Sequence, residues 1–192
     1  MALFNFHDLK QRAYRSISYK KAASEILVQD NLSYSSTKKY DIFLSHSFLD
    51  ADIILGVKLS LEDLGYSIYV DWTEDPQLDR KTITKATAAL LRERMNSSKC
   101  LFFATSKNSM SSKWMPWELG YKDGQNEKAA ILPVSESRYE NEYKGQEYLA
   151  IYPYIQSDSD RQGKQLLWIH ENSKIYIDFD AWLSGRKPYL RN

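Results

Sequence analysis

Apolar runs that end in polar side chains alternate with helical segments, and this alternation constrains the fold of the chain more than any other feature. The apolar runs cover residues 40–44, 65–70, 101–104 and 129–134. The first run leads into Ser45, His46 and Ser47, and the second leads into Asp71. Short buried strands joined by helices predict a parallel sheet with polar residues gathered at its carboxyl edge. The sequence therefore predicts an α/β doubly wound fold.

Helical spacing of apolar residues predicts the connections between these strands. The first helix is expected from about Ala51 to Leu64, with Asp50 as its N-cap and Gly65 as its carboxyl-terminal cap. The inward-facing residues of the second helix are Ile83, Ala86, Leu90, Leu91 and Met95. Beyond residue 134 the pattern predicts a loop at 135–147 and strands at 151–155 and 174–179, and it leaves strand or helix open for 165–170.

Residues 1–38 differ in pattern from the rest of the chain, so we divide it into an N-terminal helical extension (1–38) and a main domain (39–192). Leu9, Ala13 and Ile17 recur at every fourth position, as do Ala22 and Ile26, which predicts two short amphipathic helices. The basic residues of this segment are Lys10, Arg12, Arg15, Lys20 and Lys21. A solvated helix face is expected for them, with docking onto a partner or a nucleotide phosphate as the alternative.

Composition restricts the possible partners and compartments. The net charge of +1 gives no support to nucleic acid or an anionic membrane as a partner. Cys100 is the single cysteine and lies in an apolar run, so we expect a buried core thiol in a reducing compartment. With neither a signal peptide nor an apolar run near the roughly 20 residues that span a bilayer, a cytoplasmic protein is predicted.

Motifs for metals and for common cofactors are not found in the sequence. The three histidines (His7, His46 and His170) are scattered, which argues against a zinc site. Neither a Gly-x-Gly-x-x-Gly sequence nor a P-loop is found, so a dinucleotide-binding dehydrogenase and a nucleoside triphosphatase are not expected. We therefore predict no bound metal and no cofactor.

Glu118 is expected on a short helix over the sheet edge, where a solvated glutamate in the first turns of the helix is the ordinary interpretation and a catalytic carboxylate is the alternative. Pro116 is tolerated only in the first turn of a helix, which puts Glu118 near the start of the third helix. Trp114 is four residues earlier and would share the face of Glu118, either packing beneath it or contacting a base.

Four segments in order resemble the signature boxes of Toll/interleukin-1 receptor (TIR) domains. They are Tyr-Asp-Ile-Phe-Leu-Ser-His-Ser at 40–47, Gly-Tyr-Ser-Ile-Tyr-Val-Asp at 65–71, Ser-Lys-Asn-Ser-Met-Ser-Ser-Lys-Trp-Met-Pro-Trp-Glu-Leu at 106–119 and Ile-Leu-Pro-Val at 131–134. The third segment carries the Trp-x-x-x-Glu spacing of the enzymatic branch, and the resemblance covers about residues 39–135. It implies a flavodoxin-like parallel sheet, with a variable loop at about 72–84.

The resemblance also implies cleavage of NAD by an NAD glycohydrolase or ADP-ribosyl cyclase, with Glu118 as the catalytic residue. One carboxylate suffices because nicotinamide leaves as a neutral molecule, and the remaining oxocarbenium-like sugar is stabilised by negative charge. The substrate-binding candidates are Ser45, His46, Ser47, Asp71, Glu74 and Trp114. For His46 a structural role is equally open, and Asp71 alternatively caps or pairs with Arg80 or Lys81.

A free-standing TIR domain further resembles the signal-producing component of bacterial anti-phage systems of the Thoeris type. That resemblance implies a cyclic ADP-ribose-type product, a separate effector protein that senses it, and a homo-oligomer as the working form. The alternative is a non-catalytic scaffold that signals by homotypic assembly, because a fold alone does not fix a function. A phospho-acceptor receiver domain is disfavoured, since Ser45, His46 and Ser47 stand where an acidic pair is needed.

Overall fold

The computed structural model describes residues 2–16, 39–70, 84–137, 140, 142–145, 147–160 and 162–191. Within these residues, nine strands form a mixed sheet. The strands are β1 (Phe4–Asn5), β2 (Tyr40–Ser45), β3 (Ile68–Val70), β4 (Ser98–Thr105), β5 (Ala129–Ser135), β6 (Tyr154–Ser159), β7 (Gln165–His170), β8 (Ile175–Asp178) and β9 (Tyr189–Leu190). The α-helices are α1 (Phe6–Ser16), α2 (Ala51–Asp63), α3 (Lys85–Asn96), α4 (Met115–Asn126) and α5 (Phe179–Leu183).

The order of the parallel strands defines the fold class. Strands β3, β2, β4, β5 and β6 lie side by side in that order and run parallel. Strands β7, β8 and β9 extend the sheet in antiparallel fashion beyond β6. The parallel part has the flavodoxin-like order, whose switch point lies between β2 and β4, and ligands of such sheets bind outside the carboxyl ends of the strands there. The predicted doubly wound fold is confirmed.

Alternation along the strands distributes the core over the two faces of the sheet. Phe43 and Phe103 are buried on the face covered by α3 and α4, together with Leu91, Met95 and Leu119 of those helices. Leu44 and Phe102 are buried on the other face, which α1, α2 and α5 cover. Side chains two residues apart in a strand point to the same face, so Ser45 lies on the same face as Phe43, which is the side of α4.

Helix α2 confirms the predicted helix after the first strand. Its carboxyl-terminal end agrees fully with the prediction, and its amino-terminal end agrees in part. Gly65 has a φ of 93° and donates its N–H to the Glu62 carbonyl at 2.8 Å, as expected of a carboxyl-terminal cap. Asp50 occupies the N-cap position as predicted, but its side chain makes no capping hydrogen bond to α2. Residues 72–83 of the loop predicted at about 72–84 lie outside the described residues.

The N-terminal segment contains an element that the sequence pattern did not predict. Strand β1 pairs with the end of β5, with Phe4 opposite Val134 in parallel register. Just before it, Ala2 exchanges two backbone hydrogen bonds of 3.0 Å with Ser157 on β6. Two residues are too few for periodicity to reveal a strand. The N-terminal segment thus lies between the ends of β5 and β6 and makes backbone hydrogen bonds to both strands.

Helix α1 confirms the first of the two predicted N-terminal helices, because Leu9 and Ala13 are both buried against α2. The second predicted helix lies outside the described residues. The division of the chain at residue 38 stays a prediction.

Beyond residue 135 the prediction is confirmed in part. Residues 165–170 form strand β7, and the predicted strand at 174–179 corresponds to β8. The strand predicted at 151–155 begins only at Tyr154, because residues 147–151 form a 3-10 helix. Among the helices that the structure describes, none is long and apolar enough to cross a membrane.

Candidate active site

Glu118 occupies the first turn of α4, as the position of Pro116 predicts. Its backbone N–H donates to the Trp114 carbonyl at 2.9 Å, and the Ser112 hydroxyl accepts the Met115 N–H at 3.3 Å at the helix start. Only 1% of Glu118 is exposed. The amino-terminal end of a helix favours negative charge, so this position compensates part of the cost of burying a carboxylate.

Ser45 and Glu118 meet over the carboxyl edge of the sheet. The Ser45 hydroxyl donates a hydrogen bond of 2.6 Å to Oε2 of Glu118, and Ser45 is likewise 1% exposed. Ser45 is the last residue of β2 and lies opposite Phe103 on β4, next to the switch point of the sheet. A distance of 2.6 Å is typical of a hydroxyl that donates to an ionised carboxylate. The structure therefore brings together two of the predicted site residues.

His46 and Ser47 make local contacts. His46 is 2% exposed, and its Nδ1 donates to the Leu44 carbonyl at 2.8 Å, since a carbonyl can only accept. The Ser47 hydroxyl accepts the Leu49 N–H at 3.4 Å and caps the 3-10 turn that follows the strand. These contacts favour the structural alternative for His46. Substrate binding by either residue stays a prediction.

Trp114 packs mainly into the protein. It is 9% exposed and belongs to the core on the α3 and α4 face. Its ring meets Trp117 edge-on at 5.5 Å, and Trp117 stacks on Tyr121 at 5.8 Å. The guanidinium of Arg92, on α3, lies 5.3 Å from the Trp117 ring. This burial supports a packing role for Trp114, and its contact with a base stays a prediction.

Asp71 and Glu74 are the two predicted site residues that lie outside the described part of the chain. Their proposed contacts with substrate therefore stay predictions.

Asp50 is a structural residue of this edge whose role sequence reasoning missed. Its carboxylate accepts hydrogen bonds from the Ser106 hydroxyl at 2.5 Å and from Nδ2 of Asn108 at 2.6 Å. These bonds tie the turn after β2 to the loop after β4, and Asp50 is only 5% exposed. One signal in the sequence could have revealed this contact. Polar residues follow both β2 and β4, and the carboxyl ends of parallel strands meet at one edge of the sheet.

Two other buried groups lie away from this edge. Lys122, one turn after Glu118, donates to the carbonyls of Met95 at 3.0 Å and Ser98 at 2.6 Å, near the opposite end of the sheet. Burial lowers the pKa of Lys122 to about 8. Cys100 is fully buried, and burial raises the pKa of its thiol, which confirms the predicted core thiol and argues against a nucleophile.

The flavodoxin-like strand order, with a buried glutamate on the helix after β4, is consistent with the fold of a TIR-domain protein. No protein-family profile matches the chain. A Bacillus cereus (strain MSX-D12) protein named "Probable 3' cyclic ADP-D-ribose synthase ThsB'" is 53% identical over 190 residues, covering 95% of this chain and 98% of that protein. The chain therefore belongs to the ThsB' family of TIR-domain cyclic ADP-D-ribose synthases.

A second relative matches a shorter segment. A Cytobacillus dafuensis protein named "Putative cyclic ADP-D-ribose synthase TIR2" is 38% identical over 85 residues, which cover 44% of this chain and 22% of that protein. Both names support the enzymatic interpretation over the scaffold alternative.

Proposed function

We propose that this protein cleaves the bond between nicotinamide and ribose in NAD and closes the remaining ADP-ribose into a cyclic signal. The observation that carries the proposal is the buried pair of Ser45 and Glu118 at the carboxyl edge, in a chain 53% identical to ThsB'. The edge is where ligands of such sheets bind, and a buried carboxylate is a suitable group for stabilising positive charge.

Cleavage needs little from the protein beyond one well-placed negative charge. The carbon–nitrogen bond breaks, both of its electrons leave with nicotinamide, and the sugar carbon becomes oxocarbenium-like. The pyridinium ring becomes neutral as it leaves, so no acid is required to protonate it. We assign Glu118 the role of stabilising the cationic sugar, through its charge and through hydrogen bonds accepted from ribose hydroxyls.

Ring closure requires an internal nucleophile to reach the cationic carbon before water does. The name of the Bacillus relative specifies a 3' cyclic product. By this analogy, we expect a ribose 3' hydroxyl of the same substrate to form the new carbon–oxygen bond. Its proton passes to Glu118 or to solvent, so that the products are nicotinamide, a cyclic ADP-ribose and one proton. Exclusion of water from the site would favour this outcome over hydrolysis.

The product would act as a signal for a separate effector protein in anti-phage defence. We further propose that the enzyme works as a homo-oligomer in the cytoplasm. The buried thiol of Cys100 is compatible with a reducing compartment. A cytoplasmic enzyme would also have direct access to NAD.

The test is nicotinamide release from NAD, with products separated by mass spectrometry, for the wild type and for Glu118→Gln at high protein concentration. Glu118→Gln keeps the volume of the side chain and its ability to accept from Ser45, but it removes the charge. We expect release by the wild type and a loss of at least about 100-fold in the variant. Equal release by both proteins would remove Glu118 from its role, and no release by either would favour the scaffold alternative.

A further inference from the structure

We infer that Ser45 is a positioning residue for the proposed reaction: its hydroxyl holds the Glu118 carboxylate in the orientation that cleavage requires. The inference rests on the proposed function and replaces the simpler expectation that Ser45 binds substrate directly. The observation behind it is that the hydroxyl of Ser45 is already engaged by Oε2 of Glu118 at 2.6 Å.

Burial strengthens this hydrogen bond. Both side chains are 1% exposed, so water does not compete for either partner. A hydrogen bond to a charged acceptor in such surroundings is worth more than one at the surface. The bond also restricts rotation of the carboxylate about its last side-chain torsion, which is otherwise broad. Ser45 thereby sets the direction in which Glu118 presents its charge.

The backbone around the two residues makes this arrangement rigid. Ser45 ends β2, a central strand with neighbours on both sides. Glu118 lies in the first turn of α4, where Met115 and Leu119 are buried against the same face of the sheet. A rigid strand end therefore supports a group on a packed helix, as catalytic precision requires.

A positioning role and a substrate contact make different kinetic predictions. If Ser45 only orients Glu118, Ser45→Ala lowers kcat by about 10- to 100-fold, the equivalent of one hydrogen bond to a charged group, and leaves KM unchanged. If Ser45 contacts bound NAD in the ground state, Ser45→Ala raises KM instead. Ser45→Cys keeps a weak donor of similar shape, and its kcat should fall between those of the wild type and the alanine variant.

Ser98→Ala is the matched control. Ser98 is also buried, at 4% exposure, but its hydroxyl donates to the backbone carbonyl of Arg94 at the far end of β4. Its removal should leave kcat and KM unchanged. If Ser98→Ala lowers kcat as much as Ser45→Ala does, the loss in Ser45→Ala reflects general destabilisation of the protein, and the inference is overturned.

A measurement without substrate separates this inference from the proposed function. Ser45→Ala should lower the Tm in the wild-type background but not in a Glu118→Leu background, where the acceptor is already gone. Equal Tm shifts in both backgrounds would overturn the inference, as would a defect in KM alone or a cysteine variant no faster than alanine. A wild type that releases no nicotinamide would overturn the proposed function itself, and the positioning role would fall with it.

Discussion

The backbone of Leu9 in α1 lies directly against Gly56 in α2, so closely that a Cβ at Gly56 would be 2.1 Å from the Leu9 carbonyl oxygen. Arg12 adds a two-pronged ion pair to Asp63 of α2, with distances of 2.8 and 3.0 Å. Only glycine at position 56 permits this approach. The N-terminal helix is therefore fitted to the helix that follows the strand carrying Ser45.

Gly56→Ala should destabilise the protein, because the added methyl group meets rigid backbone and α1 must move. We expect a loss of about 1–3 kcal/mol in the free energy of unfolding, measured by chemical denaturation. Gly124→Ala is the control, since a Cβ there meets nothing within 4 Å and alanine is the better helix former. That variant should gain up to about 1 kcal/mol. Stability changes in the same direction for both substitutions would contradict the close contact between the two helices.

Asp50→Asn should weaken the connection between the turn after β2 and the loop after β4. The carboxylate accepts from both Ser106 and Asn108, whereas an amide would place its NH₂ group against one of these donors. We expect a loss of about 1–3 kcal/mol in the free energy of unfolding. Glu171→Gln, at an exposed position, should change stability by less than about 0.5 kcal/mol in the same denaturation series. Similar values for the two variants would show that Asp50 does not tie the loops together.

We expect His170 to make the stability of the protein sensitive to acid. Its ring is stacked between Tyr154 at 5.3 Å and Tyr176 at 4.7 Å, and it is 1% exposed. Burial lowers the pKa of His170 to about 4, although the nearby Asn172 carbonyl opposes this shift. The unfolded chain, with an ordinary histidine pKa of about 6.5, therefore binds more protons between these two values. Stability should fall as the pH is lowered from about 6.5 to about 4.

The full effect of this titration amounts to about 3 kcal/mol, since one pKa unit corresponds to about 1.4 kcal/mol. His170→Phe keeps an aromatic ring in the stack but cannot titrate. Denaturation curves across this pH range should show a much smaller decline for His170→Phe than for the wild type. An unaltered decline in His170→Phe would assign the acid sensitivity to other groups.

The central fold was predictable because its signals are local and periodic. The buried runs of β2, β4 and β5, the helical spacing of α2 and the glycine stop at Gly65 each agree with the observed elements. The place of Glu118 in the first turn of α4 was predictable because Pro116 fixes its distance from the helix start, whereas its catalytic role came from the resemblance to TIR domains and stays a prediction. These features depend on neighbours in sequence, which a pattern can reveal.

The remaining features depend on contacts between distant residues. Ser45 and Glu118 are 73 positions apart, and the sequence placed both at one edge without indicating that they bind each other. Asp50 precedes a helix and was predicted to cap it, but its two partners come from a loop more than 50 residues later. Strand β1 has two residues and no periodicity, so only its pairing with β5 defines it.

The most direct test of the proposed function is the reaction of the wild type with NAD in water enriched in heavy oxygen, with the products weighed by mass spectrometry. If an internal hydroxyl captures the cationic sugar, the product is lighter than ADP-ribose by one water and carries no heavy oxygen. Its yield should match the nicotinamide released. ADP-ribose that carries the heavy isotope as the only product would show that water is the nucleophile, and it would contradict the cyclisation that we propose.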